Sequence, residues 1–303
     1  MKQKILFFLL ALFFQLGFSQ DKALIDSINQ IKVQKIDMPV DELIELLQRN
    51  IDDAKSMDYL QGQAEAYLKL SKTYTYQGEN QAKSVEAVLD AIRIYEKMDN
   101  KKEMAKSFGE LGWRMKRRDL ETGIEYMQKG IAIAERNNYE DELKDLYNNY
   151  GVLKQWNKEI DSAVYYLKAG LEIKEEQKDE FGIPYSLSNL AGAYLVKKDY
   201  DKAISLLKES IDLRKKMQDS IGLGENYTQL AEVYYDDQEF DTALKLLKQS
   251  SVIARLKEYK NLEQYDYDYI SKIYQQKNQA DSALYYFKKH IDIKDQMFTE
   301  KQE

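Results

Sequence analysis

The residue types that support most enzymatic chemistry are scarce in this chain of 303 residues. It has no cysteine, which excludes Cys/His zinc sites, disulfides and cysteine nucleophiles. A Ser-His-Asp triad would have to use the single histidine, His290, five residues before the last aspartate, Asp295. No paired carboxylates or nucleophile–base constellation stand out from the sequence pattern. We therefore expect no catalytic residue, no metal site and no cofactor.

Side chains that favour binding are more prominent. The chain has two tryptophans, Trp113 and Trp156, and aromatic residues often dominate protein interfaces. The basic run Arg114–Arg118 could meet phosphate or an acidic partner segment, but cations also suit a helix C-terminus, and we favour a solvated helix end. A net charge of −7 argues against attraction to nucleic acid or anionic lipid. The segment Gly222–Gly224 lacks the rest of a dinucleotide-binding fingerprint.

The first twenty residues have the layout of a secretory signal peptide. Lys2 and Lys4 precede an apolar run from Ile5 to Phe18, and a cleavage site with small flanking residues follows at Ser19. The run is shorter than the roughly 20 residues that a bilayer span needs, although an uncleaved anchor is the alternative. We predict a signal peptide at 1–19, no membrane span after its removal, and a periplasmic or secreted protein of a Gram-negative bacterium.

The rest of the chain repeats about every forty residues. Strings such as DSAVYYLKAGLEIK and DKAISLLKESIDLR place alanines forty residues apart, at Ala163, Ala203, Ala243 and Ala283. Weaker copies upstream place other residues in the same position: Gly123, Ser84 and Leu43. A tandem repeat of this length is typical of a solenoid, in which each repeat packs on its neighbours.

Each repeat is predicted to form two helices. In the second helix, small residues recur at offsets 0 and +7 and large apolar residues at +4, which places them on one helical face. In the first helix, aromatic, apolar and small residues recur with similar spacing, so most of the 24 tyrosines are expected to pack in the core. An aspartate two residues before each alanine is expected to cap the second helix: Asp161, Asp201, Asp241 and Asp281.

This register resembles the tetratricopeptide repeat, whose signature is W-x2-L-G-x2-Y on the first helix and A-x3-F-x2-A on the second. The resemblance implies an all-α fold, a right-handed superhelical solenoid of antiparallel helix pairs. The forty-residue length predicts helices that are together about a turn and a half longer than in the usual repeat. We predict a degenerate repeat or cap at 20–59, then a solenoid over 60–303 with six repeats: 60–99, 100–139, 140–179, 180–219, 220–259 and 260–298.

In this family the first helices line a concave groove that usually binds peptides or partner helices, and the resemblance implies the same here. The alternative is that the groove positions are ordinary solvated faces and that Trp113 and Trp156 pack between repeats. Family members that hold an acidic peptide C-terminus use Lys and Asn four residues apart, a pair that no repeat here contains. The repeat register gives ten candidate binding residues: Lys72, Trp113, Lys116, Arg117, Asn149, Gln155, Trp156, Tyr185, Asn189 and Tyr235.

The resemblance favours a non-catalytic scaffold that binds a protein or peptide. The alternative is the sensory part of a signalling or transcription-regulatory system whose output domain is separate or missing, because extended repeats also resemble exported sensors of flavobacteria. No polar closing helix follows the last repeat, so its apolar face is expected to pack inward or to be covered by a partner or a second copy. The residues concerned are Ile291, Ile293, Met297 and Phe298.

Overall fold

The computed structural model describes residues 21–32, 38–77 and 81–299, and the predicted signal peptide lies outside them. Within these residues the chain forms 14 helices and no strand, which confirms the all-α class. In chain order they are α1 (Lys22–Asn29), α2 (Val40–Ser56), α3 (Leu60–Gln77), α4 (Gln81–Lys97), α5 (Lys101–Met115), α6 (Leu120–Arg136), α7 (Glu140–Trp156), α8 (Ile160–Glu176), α9 (Gly182–Val196), α10 (Tyr200–Lys216), α11 (Ser220–Asp236), α12 (Phe240–Leu256), α13 (Lys260–Gln276) and α14 (Ala280–Thr299).

The helices divide into two compact units, an N-terminal unit up to Glu142 and a C-terminal unit from Leu143 onward. In the N-terminal unit α3 packs on α4 and α5 packs on α6, while α1 contacts both α2 and α3. In the C-terminal unit the pairs are α9 with α10, α11 with α12, and α13 with α14. Each unit is therefore built from helical hairpins that pack side by side.

Regular turns between helices produce the forty-residue period. From α10 to α13, helices of 17 residues are separated by three-residue turns. The middle residue of each turn has a left-handed backbone, with φ of 57° at Gln218, 63° at Gln238 and 54° at Glu258. The following amide then reaches back into the helix, as the Asp219 N–H does to the Arg214 carbonyl oxygen at 3.0 Å. This geometry satisfies helix-end carbonyls without a glycine.

The aspartates expected to cap the second helices do not cap them. The cap of α10 is Asp199, whose side chain accepts from a backbone N–H three residues on. Asp161 instead binds the Lys197 ammonium group at 2.6 Å, and Asp241 binds Lys277. The prediction was wrong because each helix begins one residue before its aspartate, which places the carboxylate inside the first turn. The four residues so placed are Asp161, Asp201, Asp241 and Asp281.

The predicted small and apolar face of the second helices is buried. Ala203 is 0% exposed and Leu207 is 1% exposed, and both lie in one apolar cluster with α9 residues such as Leu187. In the N-terminal unit the equivalent close approach uses two glycines, since a Cβ on Gly112 would lie 2.6 Å from the carbonyl oxygen of Gly123. Small residues at this position let the two helices of a hairpin pack closely.

Helix α14 buries only part of the apolar face that was expected to pack inward. Ile293 is buried, and Met297 packs against the same cluster as Tyr267 and Ile270 of α13. Phe298 is 64% exposed. Two further apolar side chains of α14, Leu284 and Phe287, are also about half exposed, whereas the residues matching Phe287 in earlier repeats are buried.

Candidate functional site

Buried polar side chains link the first helices of the C-terminal unit. Each link joins a donor on one first helix to an acceptor 38 residues away on a neighbouring first helix. All six side chains are less than 5% exposed. We call this set the polar chain: Ser186 to Asn148 at 3.3 Å, Ser188 to Asn226 at 2.8 Å, and Thr228 to Asp266 at 2.5 Å.

Serines from the second helices complete the polar chain. Ser210 of α10 donates to the carbonyl oxygen of Pro184 at 2.8 Å and accepts from the Asn226 amide. Ser250 of α12 lies 2.8 Å from the Thr228 hydroxyl. Both serines occupy the small +7 position of the repeat, where we predicted packing alone. The hydroxyls add hydrogen bonds there, so they satisfy polar groups that burial would otherwise penalise.

A cavity of about 330 Å³ opens beside the polar chain, on the surface formed by α9, α11 and α13. Its size is in the range of small-ligand sites. Two tyrosines on its rim, Tyr185 and Tyr265, are 45% and 42% exposed. The cavity is lined by Tyr185, Ser188, Asn189, Arg214, Glu225, Asn226, Thr228, Gln229, Glu232, Leu262 and Tyr265.

Arg214 is the basic residue of the cavity and comes from a second helix, α10. Its side chain is only 8% exposed, and its Nη1 binds the Asp219 carboxylate at 2.5 Å. A Cβ on Gly222 would lie 1.4 Å from that nitrogen, so the arginine occupies the space that this glycine leaves open. Gly222 lies in the first turn of α11 and provides room for Arg214.

Two carboxyl groups, Glu232 in the cavity wall and Asp266 next to it, are in a poorly solvated environment. Burial raises the pKa of Glu232, while a hydrogen bond from the Tyr265 hydroxyl opposes that rise. Beneath the cavity, burial raises the pKa of Asp266 to about 7, and the negative charges of Glu232 and Glu263 add to the effect. Removal of water disfavours the charged form of a carboxylate, so both groups would be stabilised in that form by a nearby cation.

Three polar atoms at this site are buried without a hydrogen-bond partner in the described structure: Gln229 Oε1, Asp266 Oδ2 and Arg214 Nε. Gln229 and Arg214 line the cavity, and Thr228, which also lines it, donates to Asp266. Buried polar groups are normally paired, so a cavity bordered by unpaired ones is suited to a ligand that supplies the missing partners.

Three of the six predicted groove residues in the C-terminal unit lie at or beside this cavity. Tyr185 and Asn189 line the cavity. Tyr235 lies beside it, with its ring centre 5.5 Å from that of Tyr269, which contacts Tyr265 in turn. The three predicted residues on α7 are not among the lining residues: Asn149 accepts a hydrogen bond from Asn148, Gln155 lies near Gly192, and Trp156 is 46% exposed.

The other four predicted residues belong to the N-terminal unit. Lys116 places its ammonium group 3.2 Å from the centre of a Trp113 ring, a cation–π contact. Burial, with the charge of Arg117 as a smaller contribution, lowers the pKa of Lys116 to about 8. Lys72 and Arg117 are exposed. These four residues belong to a different compact unit from the cavity.

The sequence prediction missed several cavity residues. Arg214 was missed because we assigned the groove to first helices only. Polar residues also recur at forty-residue spacing inside the otherwise apolar first-helix pattern, and this signal could have located the polar chain. One such series lies in the polar chain and consists of Ser186, Asn226 and Asp266. A second series, on the cavity rim, consists of Tyr185, Glu225 and Tyr265.

The described part of the chain holds no cluster of three or more His, Asp or Glu side chains placed to bind a metal ion. Within the same residues, none of the helices combines the length and apolar character that crossing a bilayer requires.

Residues 182–255 match the family model of the tetratricopeptide repeat. This segment contains α9, α10 and α11, which supply most of the cavity wall. Among curated proteins, none matches the sequence.

Solved structures with similar folds include several helical repeat proteins. RapI in its apo form has a TM-score of 0.69 at 16% identity, over 86% of this chain and 93% of that one. A signal transduction ATPase with numerous domains and a tetratricopeptide repeat sensor, from Pyrococcus horikoshii, has a TM-score of 0.68 at 17% identity, over 92% of this chain and 42% of that one. BtubC from P. vanneervenii has a TM-score of 0.64 at 17% identity, over 73% and 93%. These likenesses establish a helical fold of tetratricopeptide-repeat type.

Proposed function

We propose that this chain, with its fold of tetratricopeptide-repeat type, is an exported, non-catalytic interaction protein. It binds a peptide or protein segment on the first helices of the C-terminal unit. The cavity between α9, α11 and α13 supports this proposal, since it combines exposed tyrosine rings with buried polar atoms that have no partner in the described structure. A concave site with a few convergent polar groups is typical of ligand binding.

Export is supported by the layout of residues 1–19. We propose that the mature protein begins at Gln20 and resides in the periplasm or the medium of a Gram-negative bacterium. Cell fractionation followed by N-terminal sequencing tests this step. Recovery of the protein in the cytoplasm with its first residues intact would refute it.

Photo-cross-linking in living cells tests the binding surface. A photoreactive phenylalanine analogue replaces Tyr185 on α9 in one strain and Tyr165 on α8 in another, as a matched control. Both tyrosines are exposed, at 45% and 67%, but only Tyr185 borders the cavity. We expect a discrete protein or peptide adduct from position 185 and none from 165, with mass spectrometry identifying the captured segment. Equal capture at both positions, or none at 185, would contradict the proposal.

A sensory role is the second candidate. It is supported by the similarity to the ATPase from Pyrococcus horikoshii, whose tetratricopeptide repeats are described as a sensor. In this case ligand binding to the cavity would act on a separate output protein. Deletion of the gene should then change the transcription of a defined set of genes, and a cavity variant should reproduce the change. A scaffold would leave transcription unaltered while it co-purifies with envelope proteins.

The exposed apolar residues of α14 support a second contact, with another copy of the chain or with a partner. Leu284, Phe287 and Phe298 are each 45% exposed or more. Analytical ultracentrifugation of the mature chain should show weak self-association that Phe298→Asp removes. A strict monomer that Phe298→Asp leaves unchanged would rule out self-association through this face.

A further inference from the structure

The acceptors of the cavity lie on one face of α11. Glu225, Gln229 and Glu232 follow at i, i+4 and i+7, which aligns their side chains along the helix. Gln229 Oε1 is buried without a hydrogen-bond partner. Glu225 accepts one hydrogen bond, from the Tyr259 hydroxyl at 3.1 Å. This face therefore offers acceptors and negative charge to whatever enters the cavity.

The basic side chains around the cavity are already paired with carboxylates. Among the described residues that line it, Arg214 is the only basic one, and its guanidinium binds Asp219. Lys272, the lysine whose charge acts on Glu232, has its ammonium group 2.7 Å from the Asp268 carboxylate. The carboxylates of Glu225 and Glu232 thus give the cavity an excess of negative charge, which an anionic ligand group would have to overcome.

The walls suit a cation with an apolar stem. Tyr185 on α9 and Tyr265 on α13 are equivalent repeat positions on either side of α11, and both expose a large part of their rings. Tyrosine faces attract ammonium and guanidinium groups, and the methylene stem of such a side chain packs on the ring. Leu262 adds apolar surface to the same wall.

We propose that this cavity holds the side chain of an arginine or lysine from an extended peptide. The cationic head donates to Gln229 Oε1 and to the Glu232 carboxylate, and its stem lies between the two tyrosines. This inference rests on the proposed function and adds the chemical class of the ligand. The inference also explains why Glu232 is buried, because a poorly solvated carboxylate binds a cation more strongly than a solvated one does.

Selection from a random peptide library on the mature full-length protein tests the ligand class. We expect the bound peptides to share one basic position. The best binder is then synthesised with arginine or with citrulline, its neutral analogue of nearly equal shape, at that position. At physiological ionic strength, isothermal titration calorimetry should show at least a tenfold weaker affinity for the citrulline peptide, an effect typical of a charge pair removed from water.

Glu232→Gln should weaken the binding of the arginine peptide by about tenfold. The variant should then bind the arginine and citrulline peptides with equal affinity. The matched control is Glu209→Gln, which removes the same charge from an exposed position on α10 and should change neither affinity. Circular dichroism checks that each variant remains folded. If Glu232→Gln is unfolded, Glu225→Gln takes its place and should also weaken the arginine peptide more than the citrulline one.

The outcomes separate the two proposals. Selected peptides without a basic position, or with equal affinity for arginine and citrulline, would overturn the cationic-ligand inference and leave peptide binding intact. Selection of no peptide above background would overturn both.

Discussion

Each unit contains a largely buried arginine, and the two arginines differ in the groups that bind their Nη atoms. In the N-terminal unit, Arg114 binds Thr75 and Ser84 through Nη1 and Glu110 through Nη2, the last at 2.6 Å. Ser84 also bonds to Ser71, so the network ties α3, α4 and α5 together. Arg114 was predicted to lie at a solvated helix end, but its side chain is only 13% exposed and is part of the packing.

In the C-terminal unit, Arg214 is bound by Asp219, while Gln229 Oε1 across the cavity has no hydrogen-bond partner in the described structure. The small residues of the hairpins also differ. Ser71 and Ser84 occupy the positions that Ala191 and Ala203 hold in the C-terminal unit. The Ser84 hydroxyl accepts from Arg114 at 2.8 Å, whereas an alanine offers an arginine no acceptor. The polar groups of the C-terminal unit lie between first helices instead, where they can border a binding site.

The largest expected effect concerns Asp266 and its pH dependence. Its pKa of about 7 in the folded protein exceeds the ordinary value of 3.8. The folded state therefore binds more protons between these values, and the stabilisation present at low pH is lost as the pH rises through 7. The difference in free energy of unfolding between Asp266→Asn and wild type should therefore shift in favour of the variant by on the order of 3 kcal/mol from pH 5 to pH 8. Urea unfolding at the two pH values measures this.

A matched variant sharpens the test. Asn226 holds the same repeat position on α11 and is also 0% exposed. Asn226→Asp should create a second carboxyl with the same behaviour, so its stability deficit should be greater at pH 8 than at pH 5. If the deficit of Asn226→Asp and the gain of Asp266→Asn are both independent of pH, the polar chain does not impose the burial that we describe.

The Arg114 network is expected to contribute less than this but more than a surface contact. Arg114→Ala leaves Thr75, Ser84 and Glu110 without their shared partner, which should lower the free energy of unfolding by about 2 kcal/mol. Arg117→Ala, three residues on at an exposed position, is the control and should change stability within experimental error. Equal effects of the two variants would mean that the basic run is a solvated helix end, as the sequence indicated.

The periodic part of the fold was predictable because each repeat must bury the same face. The forty-residue spacing identified Ala203 and Leu207 as buried residues, and both are. Helix starts were less predictable, since a shift of one residue is enough to turn a capping aspartate into an ion-pair partner. Asp161 contacts Lys197, which lies 36 residues away, and no local pattern records such a contact.

The site was predictable only where it coincides with the repeat register. Tyr185 and Asn189 were identified because first-helix positions of this kind face the groove. Arg214 lies where the preceding repeat has Lys174 and the following repeat has Ala254, both buried, so the register did not distinguish a site from packing. Its role depends on Asp219 and on the space above Gly222, which only the folded chain brings together.

The smallest expected effect is the change in free energy of unfolding caused by Glu232→Gln. Its sign and size distinguish a binding residue from one that supports the packing. Burial raises the pKa of Glu232, so its ionised form is disfavoured in the folded protein at pH 8 and this penalty vanishes at acid pH. Glu232→Gln keeps an acceptor for the Tyr265 hydroxyl and removes the charge. It should raise the free energy of unfolding at pH 8 by at most about 1 kcal/mol, a gain typical of substitutions at binding sites. Chemical denaturation beside Glu209→Gln, which should be neutral, measures it. A loss of stability as large as that of Arg114→Ala would show that Glu232 supports the packing, and the contrast between the two units would then disappear.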